Sequence, residues 1–375
     1  MVSISFLAVV PVLIGAAWVA VPPTAAPQDS WANFRGTNEL TGVAGSKVPA
    51  EPSLRWKVDV KEPVTSTAAI VDGVVYVGAD DFNLYALKLS DGTIQWKYAA
   101  KEAIRSSPAV FDGVVYFGDQ EGTFHAVNAA DGAAKWTFKA EGELLSSPLV
   151  VGGKVVFGSY DANVYCLSTS DGSLIWKYET AGRVHASPAL ADDFVIVAGC
   201  DEYVHVLALA DGTHSHKITM GSVVGASPAI VGERAFVGTY NPDVLAFDWK
   251  TGSQVWRFRD EDRQFPILAS AAASENAVVI GGRDKRVRLF DPASGAVKWT
   301  FVAKAKIDSS PVIAGDRTFF GSNDGNLYAV NLSDGKEVWK YETGAPISAS
   351  PAIASGAIVV GNEDGVIYCF GDPKP

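Results

Sequence analysis

Tryptophan, or a residue standing in for it, returns at Trp56, Trp96, Trp136, Trp176, His216, Trp256, Trp299 and Trp339, at intervals of 40 residues broken once by 43. A period of this length marks one supersecondary unit copied along the chain, each copy burying its apolar face against the next. Ahead of the tryptophan position sits a turn pair: Asp91-Gly92, Asp131-Gly132, Asp171-Gly172, Asp211-Gly212, Thr251-Gly252, Ser294-Gly295 and Asp334-Gly335. Glycine there supplies the positive φ that a tight hairpin turn requires. Length alone, 375 residues, would suggest about two to three domains. The repeat predicts one.

Within a unit the pattern reads as four short strands. Around Pro108 they run Ile104 to Phe111, Val114 to Gly118, Thr123 to Asn128 and Lys135 to Phe138. Four strands in 40 residues make the blade of a β-propeller. First strands number eight, centred near Ala68, Pro108, Pro148, Pro188, Pro228, Ala271, Pro311 and Pro351. The last unit, Pro346 to Phe370, lacks a fourth strand, whereas Leu54 to Val60 is a fourth strand with no unit before it. The expectation is all-β: an eight-bladed β-propeller of four-stranded antiparallel blades, closed where the amino-terminal strand joins the carboxy-terminal blade. Such closure leaves no open edge between first and last blades. The propeller then spans 54–370, after an extended lead-in at 27–53 and before a tail at 371–375.

Side chains repeat in columns. Four residues before the proline position stand Val64, Ile104, Leu144, Val184, Val224, Ile267, Ile307 and Ile347. One residue before it stand Thr67, Ser107, Ser147, Ser187, Ser227, Ser270, Ser310 and Ser350, small enough for blades crowding a central axis. The Trp column belongs at the wide outer end of the wedge between blades, as filling rather than as a cofactor stack.

The unit Ser-Ser-Pro…Val-Tyr-Phe-Gly…Asp-Gly…Trp, clear from Ser106-Ser107-Pro108 through Trp136 and from Ser309-Ser310-Pro311 through Trp339, resembles the pyrroloquinoline-quinone-type (PQQ-like) propeller repeat over about 54–370. Trp31-Ala32-Asn33-Phe34-Arg35-Gly36, followed by Thr41-Gly42, resembles the lead-in of exported bacterial members of that superfamily. One branch, the quinoprotein dehydrogenases, implies a bound quinone, a Ca²⁺ ion and a catalytic aspartate. Another, the non-catalytic branch that includes the outer-membrane β-barrel assembly lipoprotein, implies none of these. The chain has no adjacent Cys-Cys pair, no Cys-x-x-Cys-His haem motif and no lipid-carrying cysteine near its apolar start. It is also much shorter than the enzymes. The repeat therefore does not license a cofactor; none is expected, and PQQ with Ca²⁺ belongs to the alternative reading.

Residues Phe6 to Val21 form an apolar run, with no charge before Asp29. The run is short for a membrane span of about 20 residues and suits a signal-peptide core with small residues at Thr24-Ala25-Ala26. Residues 1–26 thus read as a signal peptide or an uncleaved membrane anchor, against which stands the missing Lys or Arg in the first five residues. Either reading predicts export, to a bacterial periplasm or envelope; a misread start is the remaining alternative. Lys+Arg total 31 against 42 Asp+Glu, a net −11 that argues against nucleic-acid partners. Three cysteines are too few for a disulfide scaffold.

Candidate chemistry is sparse. His214 and His216 face the same way on a strand and share a blade with Cys200 and His205, a conceivable metal set. However, His216 fills the Trp column, and both His205 and His125 fill the column of Tyr85, Tyr165, Tyr328 and Tyr368, so the structural reading is preferred. Cys166 and Cys369 take an alanine column in blades 3 and 8, as buried thiols too far apart to bridge. Three residues before the proline position the repeat stops repeating: Thr65, Arg105, Leu145, His185, Gly225, Leu268, Asp308 and Ser348. Arg105, His185 and Asp308 are the ligand candidates at this channel mouth, for a small anion or a sugar, against the alternative of a solvated rim.

The single insertion lies between Arg257 and Phe265, entering blade 6, and the same blade carries Arg283-Asp284-Lys285-Arg286 on the same face. Arg259, Arg263, Phe265, Arg283, Lys285 and Arg286 form a candidate interaction rim, where arginine and aromatics are favoured. Reversing the charge of Arg283, Lys285 and Arg286 should then weaken partner capture with little effect on thermal stability. The expectation is a monomeric, non-catalytic scaffold that binds another envelope protein. A PQQ-dependent oxidoreductase and a sugar- or small-ligand-binding propeller are the alternatives.

Overall fold

The computed structural model describes residues 30–373, so the segment read as leader lies outside the described residues. Eight four-stranded antiparallel sheets stand as blades, their innermost strands neighbouring one another around a central axis. Blade 1 runs Ala69–Val71, Val74–Gly78, Asn83–Lys88 and Ile94–Ala99. Blade 8 takes its outermost strand, Ser53–Asp59, from the amino-terminal side, pairing Leu54 with Phe370 and Trp56 with Cys369. The closure read from the repeat is what forms.

The innermost strands are shorter than the sequence pattern suggests. In blade 2 the strand is only Ala109–Phe111, not Ile104 to Phe111. Pro108 has no N–H to give a ladder, and the amide of Ser107 is already donated to Ser147 Oγ at 2.9 Å. That bond belongs to a series. Thr67 N donates to Ser107 Oγ at 3.0 Å, Ser147 N to Ser187 Oγ at 3.0 Å, and so on through Ser227, Ser270 and Ser310 to Ser350. The column of small residues is thus a chain of hydroxyl acceptors tying each blade to the next, where a buried amide would otherwise go unpaired.

The tryptophans fasten the outer end. The Trp96 indole N–H donates to Ala129 O at 3.0 Å, Trp136 to Thr169 O at 3.0 Å and Trp299 to Leu332 O at 2.8 Å, each in the following blade. The turn glycine of that blade lies flat on the ring: a Cβ on Gly335 would stand 2.7 Å from Trp299 Cδ2. His216 keeps the bond, its Nε2 3.0 Å from Trp249 O, but leaves the space empty, since a Cβ on Gly252 meets nothing nearer than Ile218 at 3.5 Å.

The lead-in crosses the propeller and closes one face. Trp31 bridges Ile70 of blade 1, and carbonyls of Ala32, Asn38, Glu39, Thr41 and Gly42 accept from Val110, Leu190, Ile230, Ala273 and Ile313 of blades 2, 4, 5, 6 and 7. Arg35, fully buried, donates to the carbonyls of Ser310 at 3.2 Å and Ala271 at 3.0 Å, and to that of Pro311. Burial without a carboxylate partner pulls its guanidinium down to about 9. The innermost strands run toward this far face, so the loops entering each blade gather at the opposite mouth.

Candidate functional site

Two columns meet at the mouth. One is the non-repeating position read from sequence; the other lies two residues past the glycine-type end of each second strand, as Asp80, Gln120, Tyr160, Cys200, Tyr240, Arg283, Asn323 and Glu363. Backbone bonds hold this second column to the entry loops, among them Asp80 N to Pro63 O at 2.9 Å and Tyr160 N to Glu143 O at 3.0 Å. Arg105, His185 and Asp308 stand in different blades and do not converge; each is engaged by the second column. Arg105 grips Asp80 with Nε at 3.0 Å and Nη2 at 2.7 Å. His185 Nδ1 lies 2.7 Å from the Tyr160 hydroxyl, and burial lowers the imidazole pKa, leaving it neutral at pH 7. Asp308 sits between Arg283 Nε at 2.7 Å and Lys306 Nζ at 2.9 Å.

The quinone–Ca²⁺ pair that the fold suggests does not fit these residues. Among the described residues no three His, Cys, Asp or Glu side chains come together to hold a metal ion. Of the mouth cations, Arg105 is held by Asp80, and Arg283 and Lys306 by Asp308. The histidine set has structural employment. His205 Nε2 lies 2.8 Å from Asp201 Oδ2 and His125 Nε2 lies 3.1 Å from Asp119 Oδ2, as Tyr165 donates to Asp161 at 2.8 Å and Tyr328 to Asp324 at 3.0 Å. Cys166 and Cys369 are buried and form no disulfide among the described residues, and burial pushes Cys166 up to about 12.

The blade 6 rim is less open than its sequence suggests. Arg259 binds Asp243 through Nε and Nη2, both at 2.7 Å, and Arg257 joins the same carboxylate. Burial pushes Asp243 up, yet the bonds from Arg259 and Arg257 outweigh it and hold the carboxyl below its usual range. Arg283 is on Asp308, and Arg286 lies 3.5 Å from Asp260 and 3.9 Å from Asp284. Reversing Arg283 and Arg286 would therefore break ion pairs, each worth about 0–1 kcal/mol when partly exposed, so a loss of capture in that variant would not by itself report a contact with the partner. Arg263 and Lys285 are exposed with no side-chain partner among the described residues, and Phe265 is 51% exposed.

Between blades 5 and 6 lies an open groove of about 550 Å³, floored by Phe258 and Arg288. Arg288 takes the place of the column tyrosine and is held by Asp260 at 2.8 Å and by Asp284. Sequence reasoning passed over the second mouth column and Lys304 and Lys306. The signal was available: all three mouth pairs join residues 25 apart.

A family described as outer membrane protein assembly factor BamB matches residues 48–183, 143–258, 184–284 and 283–371. The outer membrane protein assembly factor BamB of Shewanella oneidensis is 28% identical over 109 residues, covering 26% of this chain and 28% of that protein. The match thus spans little over a quarter of the length of this curated relative. BamB from Moraxella catarrhalis superposes with a TM-score of 0.74 at 20% identity, over 86% of this chain and 98% of that one. Quinohemoprotein alcohol dehydrogenase from Comamonas testosteroni superposes with a TM-score of 0.80 at 14% identity, over 94% of this chain and 82% of that one. At such identities the two structures share the fold, and the fold accommodates an enzyme and an assembly factor alike.

Proposed function

Because this chain belongs to the family described as outer membrane protein assembly factor BamB, we propose that it is an exported, non-catalytic scaffold, monomeric and without cofactor, that holds another envelope protein on its mouth face. The carrying observation is that the three candidates at the mouth are each engaged by a neighbour, Arg105 by Asp80, His185 by Tyr160 and Asp308 by Arg283 and Lys306. A general acid, base or ligand anchor needs a group left free to engage substrate. The mouth columns keep unpaired only the uncharged Thr65 Oγ1, Asn323 Oδ1 and Ser348 Oγ among their buried polar atoms, whereas exposed Arg263, Phe265 and Lys285 stand on the rim. The test is calorimetric titration of the purified protein with PQQ, with and without Ca²⁺, beside capture from an envelope extract. No heat with the quinone, and capture lost in an R263E/K285E variant of unchanged melting temperature, is the expected result. Ca²⁺-dependent quinone binding at about 1 μM or tighter, about −8 kcal/mol, would overturn it.

A further inference from the structure

Charge on the mouth face is unevenly spread. The loops entering blades 2 and 3 expose Glu102, Glu141 and Glu143, whereas the loop entering blade 7 carries Lys304 and Lys306 and no acid before Asp308. Backbone bonds bring that loop against the blade 6 turn: Ala303 N donates to Lys285 O at 2.9 Å and Ile307 N to Gly282 O at 3.1 Å. Arg283, Lys285, Lys304 and Lys306 thereby share one sector. The acids nearest these four cations are committed, while Glu261 and Asp262 stand exposed on the Phe265 side of the sector. Asp308 lies between Arg283 and Lys306, Asp284 is turned inward onto Arg288, and Asp324 accepts the Lys304 amide at 3.0 Å and the Tyr328 hydroxyl. Lys285 and Lys304 are exposed with no acidic partner among the described residues. Beside them Phe265 and Tyr240 are 51% and 48% exposed.

We infer that this blade 6–7 sector docks an acidic, extended segment of a partner protein, carboxylates meeting Lys285, Lys304 and the outer edges of Arg283 and Lys306, with Phe265 and Tyr240 as apolar anchors. The inference rests on the scaffold reading and names the chemistry of what the scaffold holds. Lys285 and Lys304, exposed without an acidic partner on a chain of net charge −11, attract an acidic ligand locally while most of the surface repels it. Tyrosine and arginine are enriched at the hot spots of protein interfaces, and a vesicle control separates a protein from a lipid surface. The far face is taken by the chain's own lead-in, so the mouth face is the one left for a partner.

The probe is a fluorescein-labelled deca-glutamate peptide, followed by anisotropy with the full chain at low ionic strength, where screening is weak. Wild type should bind, K285E/K304E should bind about tenfold or more weakly, and K285Q/K304Q should fall between. K57E/K135E changes net charge equally but at the exposed outer strands of blades 8 and 2, and should bind within about twofold of wild type. No wild-type binding, or an equal loss in K57E/K135E, overturns the site, as does preferential binding of phosphatidylglycerol vesicles over the peptide. Capture of an envelope partner equally by wild type and K285E/K304E overturns this site while leaving the scaffold reading in place. Quinone uptake would sink the scaffold reading without touching the peptide result.

Discussion

Gly335→Ala and Gly252→Ala form a matched pair that separates two reasons for a turn glycine. Both residues have positive φ, +69° and +73°, so an alanine suffers the same left-handed penalty at either, about 1–2 kcal/mol. Only Gly335 lies on a tryptophan: its Cβ would stand 2.7 Å from Trp299 Cδ2, against 3.5 Å from Ile218 at Gly252. The ring is fixed by its bond to Leu332 O at 2.8 Å and cannot retreat freely. Overpacking of this kind adds about 1–3 kcal/mol. With roughly 2.1 cal/mol/K of unfolding entropy per residue over about 340 residues, each kcal/mol moves the melting temperature by about 1.5 °C. Calorimetric melts at one scan rate should therefore show Gly252→Ala lower by about 1.5–3 °C and Gly335→Ala by about 3–7 °C. Equal shifts would refute the contact as the reason for glycine in this column, leaving backbone conformation alone.

His216→Trp should restore the missing ring, donate to Trp249 O and stabilise the protein by about 1–2 kcal/mol through added apolar burial; in that background Gly252→Ala should become as costly as Gly335→Ala, read by the same melts. Asp243 is held below its ordinary carboxylate range by Arg259 and Arg257, so its contribution is fully present above pH about 4 and is lost as pH falls through its lower folded value. Asp243→Asn should lower stability by about 1–3 kcal/mol at pH 7 and flatten the acid limb of the stability–pH curve. An acid limb as steep as that of wild type would show that other carboxylates set it.

The blade count, the closing strand and the sharing of loops between faces were legible because the repeat is written in tryptophan, glycine and proline at fixed spacing. The hydroxyl chain was visible only as a column of small residues. Its acceptor role depends on inter-blade register, which places Ser147 Oγ on the Ser107 amide 40 residues earlier. The crossing of the lead-in was not legible at all. Arg35 reaches carbonyls 236, 275 and 276 residues away, and nothing periodic in residues 31–44 announces it. At the mouth, Arg105, His185 and Asp308 were found as departures from the repeat, but one column of departures says nothing about the partners in the next. The ion pairs of Arg283 and Arg286 on the rim were not legible for the same reason, while Arg263, Phe265 and Lys285 stand exposed there.

A repetitive fold has few positions at which to encode an individual task, because most columns bind blade to blade. Here many of the departures are spent as well: Asp80 with Arg105, Tyr160 with His185, Asp243 with Arg257 and Arg259, Arg288 with Asp260 and Asp284. Each pair joins groups brought together from different strands or blades, and each leaves a charge or hydroxyl unable to serve a ligand without breaking the structure. The uncommitted cations of the proposed docking sector are Lys285 and Lys304, opposite exposed Glu102, Glu141 and Glu143 on the same face. On the proposed reading an acidic segment is drawn to Lys285 and Lys304, an effect on association rate that salt should weaken. Specificity on that reading lies in where charge was left unpaired, while the serine column near the axis ties blade to blade.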